Sequence, residues 1–209
     1  MNITLNKRNH MKPLIIGIAG GSASGKSSLC DILREKLEVQ GIKCCVLSLD
    51  FFYKSHNENY DCPAAYSWNE IRECLLKIQT QPGTATHPVY DYRTHSRTGE
   101  IIAIPEVDCY LIEGILVLYD PEVLSALDLK IFVDAEPDTR LIRRIKRDLV
   151  HRARDVTDII EQYEQTVKPG YDNYICPTKG NADFIVPNEK GQLNAVAINF
   201  ILKGIKYHF

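Results

Sequence analysis

Leu14-Ile15-Ile16-Gly17-Ile18-Ala19-Gly20-Gly21-Ser22-Ala23-Ser24-Gly25-Lys26-Ser27 is an apolar run that empties into Gly-x-x-x-x-Gly-Lys-Ser. The order matters, because a strand feeding such a loop turns backbone N–H groups inward and presents them to phosphate oxygens. Gly20, Gly21 and Gly25 let the chain turn tightly, with Ser22, Ala23 and Ser24 between them. Lys26 adds a point charge, and the Ser27 hydroxyl is of the type that ligates Mg²⁺. The stretch therefore predicts a cradle for a nucleoside triphosphate. It leaves open whether the terminal phosphoryl passes to water, to protein or to a small molecule.

Working outward, Ser28 to Val39 has helical periodicity, with Leu29, Ile32, Leu33 and Leu37 on one side and Gly41 at the stop. Further apolar runs follow at Cys44 to Leu49, around Tyr110-Leu111-Ile112, at Leu129 to Val133 and at Ala182 to Val186. Continuous apolar runs suit parallel strands buried on both faces, and helical patterns lie between them. The pattern predicts an α/β fold: a doubly wound, parallel, five-stranded sheet flanked by helices. Ligands of such sheets bind beyond the strand C-termini. Asp50 and Glu113 close two of the runs, so both acids are expected at the edge where the phosphate loop lies. Residues 83 to 105 break the alternation with two extended-looking segments, which predicts a small inserted β-lobe.

Length and composition bound the function. With 209 residues, 44% of them hydrophobic, the chain suits one well-buried domain, expected over 13–209 behind a flexible tail at 1–12. A formal net charge of -2 gives no global field for nucleic acid or for a membrane surface. The seven cysteines form no Cys-x-x-Cys pattern and follow no secretory leader, and no run has membrane-spanning length. Reduced thiols and a soluble, cytoplasmic protein are expected.

Phosphoryl transfer requires metal ligands, charge neutralisation and an oriented nucleophile. Glu113 stands where a magnesium-binding acid is placed in loops of this kind; a helix-capping or surface acid is the alternative. Asp50 is positioned to orient an attacking hydroxyl and accept its proton, although a free aspartate, with a pKa of about 3.9, is a weak base. A turn residue is its plainer reading. Arg140, Arg144, Arg147 and His151 recur at helical spacing opposite Leu141, Ile145 and Leu149, which predicts a basic face and a core face. Arg152 and Arg154 extend the series into an Arg-rich lid at about 148–158. These arginines either close over a triphosphate or form a solvated face paired with acids. Tyr90-Asp91-Tyr92 with His95 and Arg97 has the composition to sandwich and read a planar base, though alternating tyrosines are also good strand residues.

Taken together these segments resemble the uridine-cytidine kinase family of P-loop kinases over nearly the whole chain. The likeness is carried by Ile16 to Ser27, Leu47 to Lys54, Pro88 to Tyr92 with His95-Ser96-Arg97, Glu113 to Leu116, Asp138 to Arg144, Arg152 to Asp155, Val167 to Pro169, Pro177 to Lys179 and Ala195 to Asn199. The resemblance implies transfer of a phosphoryl group from ATP or GTP, with Mg²⁺, to the 5′-hydroxyl of uridine or cytidine. It implies that Asp50 is the base, that Ser27 and Glu113 hold the metal, and that Lys26 holds the phosphates. Asp61 and Arg144 would then bind the ribose, Tyr90 and His95 the pyrimidine edge, and Tyr53, Tyr60 and Tyr92 would line the base pocket. Arg154 and Gln162 would complete the nucleoside site, and Arg147 and Arg152 would clamp the transferred phosphate. A homotetramer is implied as well. The chain departs from the family at Cys62 to Ser67, which lacks the usual histidine and acids, and at Ala153, where glycine is usual. Phosphoribulokinase- and pantothenate kinase-like activities share the loop but have no use for the Tyr90, Tyr92 and His95 group. A non-catalytic nucleotide-binding module would have no use for Asp50.

Overall fold

The computed structural model describes residues 12–151, 154–189 and 192–209. Strand β1 (Leu14–Ala19) is buried at every position and sits at the centre of a five-stranded sheet. On one side it pairs with β5 (Cys109–Glu113), which pairs in turn with β2 (Cys44–Ser48). On the other side lie β6 (Leu129–Asp134) and then β7 (Phe184–Pro187) at the edge. All four pairings are parallel, as continuous apolar strands with helical crossovers require.

The two sheet faces bury separate cores. Helix α1 (Lys26–Glu38) sets Leu29, Leu33 and Leu37 against Ile16 and Ile18, and α7 (Ala195–His208) adds Ile198, Ile201, Leu202 and Ile205 to the same cluster. Across the sheet, α2 (Trp68–Thr80) contributes Ile71, Cys74, Leu75 and Ile78, spaced three and four residues apart as one helix face. The short α3 (Pro121–Ala126) is capped by Asp120, whose carboxylate accepts from the Glu122 and Val123 amides. Strands β3 (Thr86–Asp91) and β4 (Ser96–Ala103) form an antiparallel hairpin outside the main sheet, at the expected insertion.

Helix α4 (Pro137–His151) departs from the expectation in its deepest positions. Its buried positions are Arg140, Arg144 and Asp148, whereas Ile142, Leu149 and Val150 are 53%, 42% and 74% exposed. Of the predicted core face, Leu141 and Ile145 are half-buried and Leu149 is exposed, while the polar face turns to the cleft and finds partners there. Arg140 donates from Nε to the Ala135 carbonyl and lies 3.6 Å from the Tyr171 ring centroid. Buried charge is tolerated when it is paired in this way.

After α4 the chain runs through α5 (Val156–Gln162), a π-helical turn, the three-residue α6 (Lys168–Gly170) and a second π turn to Ile175. The sequence offers no periodic signal for such widened turns. Arg152 and Ala153 of the expected lid, and residues 1–11 of the expected tail, lie outside the described residues. No helix among the described residues is long and apolar enough to cross a membrane.

Candidate active site

The C-terminal ends of β1, β2 and β5 open into one cleft of about 1410 Å³. The phosphate loop forms its floor. Gly25 has φ +102°, a backbone state that L side chains avoid, and a Cβ there would overlap the Asn188 amide nitrogen. Asn188, just beyond β7, uses that nitrogen to donate to the Ser24 carbonyl at 2.7 Å, tying the loop to the sheet edge. Lys26 is buried and donates to the Gly21 carbonyl at 3.1 Å. Burial pushes its ammonium below the ordinary lysine range, while Glu113 and Asp50 pull it back up. Ser22, Ala23, Gly25, Lys26 and Ser27 line the cleft, whereas Gly20, Gly21 and Ser24 lie behind that surface as the loop's support.

The two strand-end acids reach the same edge by different routes. Glu113 is the last residue of β5, in register with Ser48 of β2 and Ile18 of β1. Asp50 lies just beyond its strand, in the 3-10 turn Leu49–Phe52 that opens with the Ser48 hydroxyl accepting from the Asp50 amide. Burial, reinforced by Glu113, raises the Asp50 carboxyl to about 6, against the opposing pull of Lys26 and a hydrogen bond from Tyr53. A carboxylate so placed is a stronger base near neutral pH than a free aspartate.

Opposite the loop lies an aromatic chamber. Tyr53 meets Tyr60 edge-on at 5.0 Å and Tyr90 at 5.6 Å, and the Tyr90 hydroxyl donates to that of Tyr60 at 2.9 Å. Tyr92 and His95 line the same cleft; His95, at φ +51°, closes the hairpin turn and lies 5.4 Å from the Tyr60 ring. A non-glycine residue held at positive φ is strain that the surrounding structure must maintain. Here the hold comes from the His56 amide, which donates to the His95 carbonyl at 2.9 Å.

Asp61 is buried beside this chamber, and its carboxyl is raised by burial and lowered by Arg144 and by a bond from Thr166. Gly170 packs so closely on the Asp61 carbonyl that no Cβ fits there. Arg144 donates to the Ser22 hydroxyl at 2.9 Å and to Gln162 Oε1 at 2.8 Å, and Arg154 donates to the same Gln162 oxygen at 2.5 Å. Arg147 donates to Asp148 at 2.8 Å, so this buried acid organises the arginine face.

The cleft thus gathers every sequence-predicted site residue among the described ones except the three supporting loop positions; Arg152 falls outside the described residues. Two members of the other predicted clusters stand elsewhere. Arg140 braces Gly21 and Tyr171, and Arg97 faces away from the base chamber, bonding the Tyr53 and Phe52 carbonyls and, bidentately, Glu70 at 2.9 and 2.6 Å. Sequence reasoning missed Tyr66, Thr166, Asn188 and Asp148. Of these only Asp148 carried a signal, four residues after Arg144 on the same helix face.

Oxygen donors from Ser27 and Glu113 suit a hard divalent cation. Among the described residues no group of three or more His, Cys, Asp or Glu side chains could hold a metal alone, so a magnesium ion here would share its shell with phosphates and water.

A parallel sheet with a triphosphate loop after its central strand, and two acids at the same edge, defines a P-loop kinase. The sequence signature described as the phosphoribulokinase / uridine kinase family matches residues 15–195. Uridine-cytidine kinase B of Dictyostelium discoideum is 39% identical over 210 residues, 96% of this chain and 84% of that protein. Uridine kinase-like protein 4 of Arabidopsis thaliana is 37% identical over 93% of this chain, which spans only 42% of that longer protein. A solved structure described as a possible uridine kinase from Bacillus stearothermophilus has a TM-score of 0.56 at 20% identity, covering 84% of this chain and 89% of its own. That last likeness speaks for the fold. The chain belongs to the phosphoribulokinase / uridine kinase family.

Proposed function

We propose that the protein is a pyrimidine ribonucleoside kinase, transferring the γ-phosphoryl of ATP or GTP to the 5′-hydroxyl of uridine or cytidine. The observation that carries this reading is the pairing of a buried carboxylate, Asp61, with a chamber of Tyr53, Tyr60, Tyr90, Tyr92 and His95, in the same cleft as Lys26 and Asp50. A triphosphate hydrolase or a nucleotide switch has no need of such a chamber. The family membership and the relatives' names support the same reading.

On this account Tyr90 and His95 meet the pyrimidine edge, and the surrounding rings exclude a purine by size. Asp61, with Arg144, binds the two ribose hydroxyls. A deoxynucleoside leaves that carboxylate partly unpaired, at a cost of roughly 1–3 kcal/mol. Asp50 orients the 5′-hydroxyl and takes its proton as the oxygen forms its bond to phosphorus; the bond to the β-phosphate oxygen breaks and the nucleoside diphosphate leaves. Lys26, the loop amides and Arg147, with Arg152, hold the phosphoryl oxygens. Magnesium held by Ser27 and Glu113 would neutralise charge on the β- and γ-phosphates.

The test is a panel of uridine, cytidine, thymidine, adenosine, ribulose 5-phosphate and pantothenate incubated with Mg-ATP and scored for phosphorylated product. Uridine and cytidine should be the substrates. Product from pantothenate or ribulose 5-phosphate alone would sink the nucleoside reading in favour of another kinase of the superfamily.

A further inference from the structure

Tyr66 is wholly buried, and its hydroxyl is directed toward Tyr53 and the candidate base, Asp50. The phenol oxygen lies 3.0 Å from that of Tyr53 and 3.5 Å from Asp50 Oδ1. The backbone explains the aim. Residues 65–67 run antiparallel to 52–54 in a short bridge: the Lys54 amide donates to the Ala65 carbonyl at 2.8 Å and the Ser67 amide to the Phe52 carbonyl at 3.0 Å. This places Tyr66 opposite Tyr53, with ring centroids 4.6 Å apart. Trp68 backs the ring at 5.4 Å and is itself fixed by donating from Nε1 to the Pro63 carbonyl at 2.8 Å.

A phenylalanine would fill the same volume, so the core does not need the hydroxyl. Burying a hydroxyl is costly unless it is hydrogen-bonded, and the polar groups within reach here are those of Tyr53 and Asp50. Burial also keeps both phenols protonated, so each retains one hydrogen to donate. Tyr53 is in turn hydrogen-bonded to Asp50. The three groups form a chain: Tyr66 donates its hydrogen to Tyr53 at 3.0 Å, Tyr53 donates to Asp50, and Tyr66 is held from behind by the bridge and by Trp68. The charged groups from other elements, Glu113, Lys26 and Asp61, act on Asp50 through their charge, whereas Tyr53 acts through a hydrogen bond.

We infer that Tyr66 is a positioning residue for Asp50, its hydroxyl joining Tyr53 to fix the carboxylate in the orientation that receives the acceptor's proton. This rests on the reading of Asp50 as the base. Mispositioning a base by a fraction of an ångström lowers the chemical step without weakening either substrate's binding.

The experiment is a double-mutant cycle on the full chain with uridine and Mg-ATP, using Tyr66→Phe, Asp50→Asn and both together. Tyr66→Phe should lower kcat about tenfold, the equivalent of one lost hydrogen bond, with the KM values for uridine and ATP within about twofold of wild type. In the Asp50→Asn background the same change should have no further effect, since there is no longer a base to position. An equal fold-loss in both backgrounds would overturn the inference, as would unchanged kcat in Tyr66→Phe or a loss of both substrates' binding in step with kcat. Failure of the functional reading looks different: Asp50→Asn would then retain wild-type turnover, or wild type would leave uridine unphosphorylated.

Discussion

On the proposed function, the donor and acceptor halves of the cleft are built by opposite means. The donor half is one stretch, Gly20 to Ser27, whose internal bonds are local: Lys26 reaches the Gly21 carbonyl, and the Ser24 amide donates to the same oxygen at 3.0 Å. The acceptor half is assembled from the Asp50 turn, the Asp61 loop, the β3–β4 hairpin and the α4–α5 arginines. Its members are held by long-range ties such as Arg97 to Glu70 and Thr166 to Asp61. Phosphate can be bound by the amides of a single turn, because its oxygens project from one centre. A base and a sugar must be met from several directions, and only tertiary structure brings groups there.

The comparison predicts which substitutions damage both halves and which damage one. Asp50→Asn sits between them and should cost about 10³-fold in kcat while uridine and ATP still bind; steady-state kinetics with binding titration checks this. Asp61→Ala should cost about 10²-fold in kcat/KM for uridine with the ATP KM unchanged, and should flatten the preference for uridine over deoxyuridine. If ATP binding fell equally, the two halves would not be separate.

Asp50 also gives a stability signature. Its carboxyl is raised to about 6 in the folded protein, so between the free value and that point the folded state holds more protons than the unfolded one. Its contribution to stability is therefore present at low pH and lost as pH rises through about 4 to 6. Asp50→Asn should stabilise the unliganded protein by about 2 kcal/mol at pH 7.5, and the gain should vanish near pH 4, as read by denaturant melts at both pH values. A smaller effect is expected from Arg97→Ala, which loosens the hairpin from the catalytic turn: about a tenfold rise in the uridine KM, with ATP little affected. Equal weakening of ATP would move Arg97 to the donor half.

The contrast also explains what could be read in advance. The loop, the five strands and the strand-end acids were legible because burial imposes continuous apolar runs and the loop chemistry is contiguous. The acceptor residues Asp61 and Gln162 carry no pattern of their own and came through family resemblance, and Arg144, marked by helical spacing, took its ribose role only from that resemblance. Helix α4 misled because amphipathicity ordinarily turns the apolar face inward, and here Arg140, Arg144 and Asp148 are buried at the cleft instead. Arg97 was misplaced because composition grouped it with His95, whereas its guanidinium is held by Glu70 and by the Tyr53 and Phe52 carbonyls. Tyr66 and Thr166 gave no signal, since a buried aromatic and a helical threonine are ordinary until their oxygens are placed.

The central claim is that this cleft moves phosphate between two bound small molecules, onto one particular oxygen. Phosphorus NMR of uridine with Mg-ATP and the full chain tests it most directly. The account predicts ADP and uridine 5′-monophosphate in equal amounts, both formed about 10³-fold more slowly by Asp50→Asn. Inorganic phosphate in place of the monophosphate, or phosphate on the 2′ or 3′ oxygen, would contradict it.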